Sequence, residues 1–516
     1  MNKVSKWIIA ISVVLPTLLE VIDTSVVNVS LNNIRGSLSA GLDESTWTIT
    51  AYLVSNAIII PLTGWLSRLF GRKRYLIFSV ILFTLSSFMC GSSRTLFSLI
   101  FFRILQGMGG GALQPLSQAI LLEAFPPVQY GMAMALFGVG VMFGPIVGPV
   151  LGGWITDNWS WPWIFYINIP IGILSVFMIM AFIHDPPYLK RATEKNERRR
   201  LDFIGLGLIA VGIGCLQVVL DKGQREDWFN SALIMRLAII SVVCLILFII
   251  VELKTKEPIL QLKVFKDISF SIANNIMFIA FFVLFGTIVL LPIYCQQLMG
   301  YNSFLSGLVL APGGIATLIT MPIAGRLVAK INPKSVLFAG LLILAYSTLM
   351  MTHFNLYVDF NMISWSRAIM GVGMGLVFIP LTTMAFTTIK KEEMGNATSI
   401  FNLTRNLAGS FGVAFVTTLL ARRAQFHQSR LIEHLNPFDI KYQMGMYKAT
   451  AVLQAKAGAS SHLLAQGLLY QQLARQSNLF SFTDAFHFSS VLLICVLPLV
   501  LLLKRPQHAE AVSAAH

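Results

Sequence analysis

Apolar residues fall in long runs along this chain. The hydrocarbon core of a bilayer, about 30 Å thick, takes roughly 20 helical residues. Runs of about that length occupy 7–29, 47–67, 75–92, 96–122, 132–156, 164–184, 202–220, 232–252, 268–297, 304–328, 335–353, 361–388, 397–421 and 485–503. The pattern predicts an all-α polytopic membrane protein with 14 transmembrane helices. The longest segment between runs is 422–484. Within it, Asn436-Pro437 marks a turn, and about 440–476 reads as an amphipathic helix with Leu463, Leu464, Leu468 and Leu469 among Gln and Ala.

Composition supports this class and removes others. The chain has 516 residues, 56% hydrophobic and 12% charged, with a mean hydropathy of +0.73. Soluble domains carry about 25% charged residues, and one soluble core does not absorb this much apolar sequence. The net charge of +15 would suggest nucleic acid in a soluble protein. Here the first explanation is the excess of Lys and Arg in inner loops, and no zinc-finger or RNA-binding signature accompanies it. The five cysteines each lie in an apolar run without CxxC spacing or a His cluster. They read as packing residues, with neither disulfides nor metal implied.

The placement of charge orients the chain. With the N-terminus inside, inner segments carry Arg68, Arg72, Lys73 and Arg74, then Lys190–Arg200, Lys254–Lys266, Arg326, Lys330, Lys334, Lys390, Lys391, Lys504 and Arg505. Short outer loops carry only Arg35, Arg94, Lys222 and Arg225. Both termini are therefore expected in the cytoplasm. The first run follows Lys3 and Lys6 as in a signal peptide, but it continues to about residue 29 without a clear A-x-A site and reads as a retained helix. Trp154, Trp159, Trp161 and Trp163 cluster at one outer boundary, as in an aromatic belt.

The two ends of the chain repeat each other. Pro61-Leu-Thr-Gly64 matches Pro322-Ile-Ala-Gly325, and Arg103, Gly107, Gly109 and Gly111 match Arg367, Gly371, Gly373 and Gly375 at the same spacing. The runs divide as six, two and six: 1–184, a middle part 185–267 with two additional spans, and 268–516 with the long outer segment. Duplicated halves place a transport site between them.

Charges inside the runs mark candidate chemistry. A charge at the bilayer centre costs roughly 2.5–3.5 kcal/mol on insertion scales, so retained ones are functional candidates. Glu20 and Asp23 share one helix face at i, i+3. Either carboxylate suits reversible proton binding, with a helix-cap or interface role as the structural alternative. Arg103 keeps its charge and suits a partner that tunes such an acid or pins two helices. Arg405 raises the same choice, and Arg367 could be a retained copy. Gly140, Gly144, Gly148 and Gly152 repeat at i+4 and form a stripe for close helix contact. Pro145 and Pro149 can bend that helix. No G-x-x-x-x-G-K-[ST] loop is present. Phe (37) and Met (21) are abundant enough for an adaptable apolar cavity. Asn28, Gln106, Gln114 and Asn402 are the candidate polar members of a substrate pocket.

Several segments resemble one family. LLEVIDTSVVNVSL (18–31), GWLSRLFGRKR (64–74), FFRILQGMGGGALQP (101–115), GVMFGPIVGPVLGG (140–153) and FNLTRNLAGSFG (401–412) resemble the signatures of the fourteen-helix drug:proton antiporters of the major facilitator superfamily, specifically the EmrB type. The resemblance implies a multi-pass protein of the bacterial inner membrane, not an enzyme, that exports hydrophobic or amphiphilic drugs in exchange for protons. It implies a periplasmic adaptor and an outer-membrane channel as partners, and no cofactor. It assigns coupling or gating to Asp23, Glu20, Arg103 and Arg405. It assigns conformational roles to Gly64, Gly71, Arg72, Lys73, Gly107, Gly144, Pro145, Gly148, Pro149, Gly152 and Gly153, with a surface that slides between states at the glycine stripe. One position departs: Arg68 stands where the family usually has an acidic residue, which puts the usual gating salt bridge in question. A dedicated exporter of one metabolite, such as a siderophore or fatty acid, is the nearest alternative; a passive facilitator or a transporter-like sensor stands further off.

Overall fold

The computed structural model describes residues 5–186, 202–255, 258–433, 435–457 and 460–503. The inner charges Lys190–Arg200, Lys256, Lys504 and Arg505 lie outside them, as does Lys3. Every regular element described is helical. The first group is α1 (Lys6–Ser37), α2 (Leu42–Phe70), α3 (Arg72–Gly91), α4 (Leu96–Gly110), α5 (Leu113–Ala124), α6 (Tyr130–Asn158) and α7 (Asn168–Phe182). Then come α8 (Phe203–Lys222) and α9 (Ala232–Lys254). The second group is α10 (Ile268–Gln297), α11 (Ala311–Lys330), α12 (Pro333–Met351), α13 (Phe360–Thr387), α14 (Met394–Ile432), α15 (Ile440–Ala457) and α16 (Ser461–Val496).

Among the described residues, 13 segments are long and apolar enough to cross a membrane. The more polar α14 supplies the fourteenth span, with α4 and α5 counted as one broken helix. In lipid every backbone polar group must be satisfied internally, which is why the spans are helices.

Equivalent helices pack alike in the two groups. In the first, α1 lies on α6, α2 on α4, and α3 on α4 and α7; in the second, α10 lies on α14, α11 on α13, and α12 on α13. The groups meet along α2·α14 and α6·α11. The α8–α9 pair stands beside that seam, with α8 touching both α2 and α14.

The glycine stripe of α6 is taken up within one half. A Cβ at Gly144 would come 2.7 Å from the Val21 carbonyl oxygen, one at Gly148 2.5 Å from Ser25 Cβ, and one at Gly152 3.1 Å from Val26 Cα. Only glycine lets α1 and α6 approach this closely. The stripe thus glues α6 to α1, while Gly153 meets nothing within 4 Å. The close contacts across the seam are elsewhere on α6: a Cβ at Gly131 would lie 3.0 Å from the Gly325 carbonyl oxygen. Pro145 and Pro149 lie within α6.

Two further differences have physical causes. The 422–484 segment is built by helices that continue beyond the spans: α14 runs to Ile432 and α16 begins at Ser461, with α15 packed on α16. A helix has no reason to stop at the bilayer surface when the sequence still satisfies its backbone. Of the tryptophan cluster, Trp154, Trp159 and Trp163 are exposed, whereas Trp161 is buried against Phe165.

Candidate functional site

Two polar clusters are built on α1, one inside the first half and one at the seam. The deeper one centres on Asp23. Arg103 of α4 donates to Asp23 Oδ2 at 2.7 Å, while Gln106 of α4 and Asn168 of α7 each donate to Oδ1 at 2.8 Å. Arg103 also donates to the Thr48 carbonyl at 3.1 Å and to Gln106 Oε1 at 2.8 Å, and its guanidinium lies 4.2 Å from the Tyr52 ring centre. Asn168 donates in addition to Ser87 of α3 at 3.0 Å. Asp23 and Arg103 are 0% and 1% exposed. A buried ion pair is tolerable only when its remaining donors and acceptors are satisfied, and here both Asp23 oxygens are engaged. Gly107, one turn beyond Arg103, permits the approach: a Cβ there would come 2.5 Å from the Tyr52 carbonyl oxygen.

The second cluster lies at the seam. Glu20, one turn before Asp23 on α1, receives a hydrogen bond from Asn56 of α2 at 3.0 Å on Oε1. Its Oε2 accepts no hydrogen bond of standard geometry, and the Gln114 side chain of α5 is its other polar neighbour. Arg405 of α14, in the other half, interacts electrostatically with Glu20 and hydrogen-bonds Gln114 of α5. The Arg405 guanidinium is 5.9 Å from the Phe281 ring centre. Nearby, Asn402 of α14 donates to Gln118 of α5 at 2.6 Å, a second amide contact across the seam.

The second half keeps the cation and loses the acid. Arg367 on α13 is buried and donates to Thr287 Oγ1 at 3.3 Å and to Met370 Sδ at 2.8 Å. With the offset of 264 that relates Arg103 to Arg367, Thr287 and Met370 stand where Asp23 and Gln106 stand. The repeat is structural, but at these equivalent positions the first half carries a carboxylate, Asp23, and the second a hydroxyl, Thr287.

At the inner end the halves are in backbone contact. A Cβ at Gly64 of α2 would lie 2.9 Å from Asn396 Cα of α14. Asn396 also clasps the segment leaving α9: it accepts from the Gln261 N–H at 3.0 Å and donates to the Gln261 carbonyl at 3.1 Å. Arg72 pairs with Glu123 of α5 beside Gly395. Gly71 adopts φ 83°, and Asp185 Oδ1 accepts the Lys73 N–H at 2.9 Å, capping α3. Lys73 Nζ donates to the Met180 carbonyl at 2.7 Å. Arg68 interacts electrostatically with Glu252 of α9, whose Oε1 accepts the Ile259 N–H at 3.1 Å.

The sequence candidates are therefore sorted. Asp23, Arg103 and Gln106 form one cluster; Glu20, Gln114 and Arg405 form another, with Asn402 beside it. Gln106 is engaged with the ion pair. Asn28 is exposed and apart from both clusters. Asn168, Asn56, Gln118, Asn396 and Glu123 join these sites without having been singled out. Asn56 and Asn168 carried a usable signal, since an amide inside an apolar run needs a partner. Among the described residues, no group of three or more His, Cys, Asp or Glu could hold a metal ion.

The charged centre of the first group and the seam of amides and glycines thus lie inside a bundle of membrane-length helices. The Major Facilitator Superfamily profile matches residues 13–413, and the chain belongs to that superfamily, among its EmrB-type multidrug export proteins. It is 37% identical over 500 residues to the multidrug export protein EmrB of Escherichia coli K12, covering 97% of this chain and 95% of that one. It is also 37% identical over 503 residues to the fatty acid resistance protein FarB of Neisseria gonorrhoeae, covering 98% and 97%. The crystal structure of the human organic anion transporter MFSD10 shares the fold, with a TM-score of 0.59, 13% identity, and coverage of 95% of this chain and 99% of that one. The protein is thus a transporter of the major facilitator type, spanning the bacterial inner membrane many times.

Proposed function

We propose that the chain exports hydrophobic or amphiphilic compounds by alternating access, driven by proton entry, with Glu20 as the carboxylate that takes and releases the proton. The observation that carries this reading is the state of Glu20. It sits at the seam, its hydrogen-bond partners are neutral amides, and its counter-charge Arg405 belongs to the other half. A proton on Glu20 removes an attraction that draws α14 toward α1. Binding of a proton therefore biases the two halves, which is what coupling requires. Asp23 has both oxygens occupied, and with Arg103 it serves as the pin that orients α1, α4 and α7. Gln114 and Asn402 line the path of the compound at the seam. The inner contacts at Gly64, Arg72 and Asn396 close the cytoplasmic mouth and open in the opposite state.

A proton entering down about 100 mV and about one pH unit releases roughly 3.7 kcal/mol. That sustains roughly a 500-fold gradient of a neutral compound. The likeness to EmrB supports a periplasmic adaptor and an outer-membrane channel as partners, and the helices beyond the outer membrane surface offer the surface for them. The equal likeness to FarB favours fatty acids as a second reading of the cargo.

The test is uphill transport in proteoliposomes of a lipophilic cation and of a lipophilic acid under an imposed pH gradient, for wild type, Glu20→Gln and Asp23→Asn. Glu20→Gln should bind and exchange cargo but not concentrate it. Concentration by Glu20→Gln as strong as wild type would move the coupling role to Asp23. Concentration of the acid alone would favour the fatty-acid reading.

A further inference from the structure

We propose that the α8–α9 pair rides with the first half as one body and exchanges its grip on α14 during each cycle, with Gln217 and Ser410 as the positioning contact. The proposal rests on the alternating-access reading above. It comes from the unequal bonds that α8 makes on its two sides.

Toward α2, α8 is held by charge. Lys222, 7% exposed, donates to the Thr46 hydroxyl and to the Asp43 carbonyl, the latter at 3.4 Å, and its ammonium lies 5.1 Å from the Trp47 ring centre. Asp221 accepts from the Thr50 hydroxyl. Arg225, just past the helix, pairs with Asp43 at 3.9 Å. Toward α14 the contacts are neutral. The Gln217 amide and the Ser410 hydroxyl exchange hydrogen bonds at 2.9 and 3.1 Å, and Trp228 Nε1 donates to Thr418 at 3.0 Å. Charge-assisted hydrogen bonds are about twice as strong as neutral ones. When α2 and α14 separate, the neutral side yields first. Gln217 and Ser410 are each donor and acceptor, so both can find new partners after a shift.

The position makes the contact consequential. Ser410 is five residues beyond Arg405 on α14, so the grip acts on the helix that brings Arg405 to Glu20. The outer partner α9 is mostly open to lipid, with only 17% of its span buried. The pair therefore lies outside the seam that α8 bridges, as a brace fixed at one end.

The test is cysteine cross-linking in a variant lacking the five native cysteines, reconstituted in liposomes. One variant carries Gln217→Cys with Ser410→Cys; the other carries Thr50→Cys with Asp221→Cys. Cross-linking by a short, reducible thiol reagent is followed on gels at pH 5.5 and 8, with and without tetraphenylphosphonium. The 217–410 rate should change about threefold or more between conditions, while the 50–221 rate stays constant. Cross-linking 217–410 should lower transport at least tenfold until reduced, and cross-linking 50–221 should leave it within twofold. Constant rates at both pairs, or a 50–221 rate that changes as much as the other, would overturn the proposal. Failure of the uncross-linked protein to concentrate cargo would count against proton coupling, and the gel rates would still decide the brace.

Discussion

At the scale of single residues, the fate of each charge in the membrane depends on its partner. Arg103 and Asp23 satisfy each other, so removing one strands the other. Breaking a buried pair costs about 3–5 kcal/mol. Arg103→Met should lower thermal stability in nanodiscs by about that amount. In a double-mutant cycle with Asp23→Asn, the two effects should fall short of additive, since the residues share one interaction. Additive losses would show that the pair is not the unit. Glu20 should behave differently. Glu20→Gln keeps the Asn56 hydrogen bond, and Arg405 keeps its bond to Gln114, so the variant should lose less stability than Arg103→Met, while counterflow of cargo becomes insensitive to the imposed pH gradient. Loss of folding in this variant would make Glu20 a structural residue. The identities of these acids and bases were legible in the sequence, because charge inside an apolar run is rare for an energetic reason. Their pairing was not. Glu20 and Asp23 sit on one helix face, yet one meets Arg405 and the other Arg103. The i, i+3 spacing says nothing about which neighbouring helix stands over each turn.

At the scale of elements, the length of each apolar run defined a span because the bilayer has a definite thickness. Boundaries were poorer where helices leave the membrane, as at Ile432 and Ser461, since the signal reports hydrocarbon and not helix. The glycine stripe was legible as a packing surface, but its partner was not. It holds α1 to α6 within a half, while the contacts between the halves run along α2·α14 and α6·α11. Gly144→Val should therefore fail to pack: forcing a side chain into a filled contact costs typically about 1–3 kcal/mol. Gly153→Val, only nine residues along the same helix, should be tolerated. The check is the yield of monodisperse protein and its unfolding temperature in detergent. Equal damage at both positions would show that the stripe matters for α6 itself and not for its contact with α1.

At the scale of the whole molecule, the backbones of the two halves touch at the inner end through Gly64 and Asn396. A side chain there would push the halves apart. Gly64→Val should shift the population toward a state open to the cytoplasm, and each tenfold shift corresponds to about 1.4 kcal/mol. A cysteine placed at Ser399, buried on α14, should then react faster with a membrane-impermeant maleimide applied from the cytoplasmic side. An unchanged rate would place the closing contact elsewhere. The sequence alone pointed to the membrane-length helices, the repeat and the buried charges, because these follow from transfer of side chains into lipid and need no knowledge of neighbours. Only the tertiary structure decided that Asp23 meets Arg103 across 80 residues, that Gln114 meets Arg405 across 291, and that Asn396 clasps Gln261 across 135. All apolar helices are alike to lipid, so hydropathy cannot choose among their arrangements. Side-chain shape and polar complementarity make that choice, and they exist only once the helices are side by side.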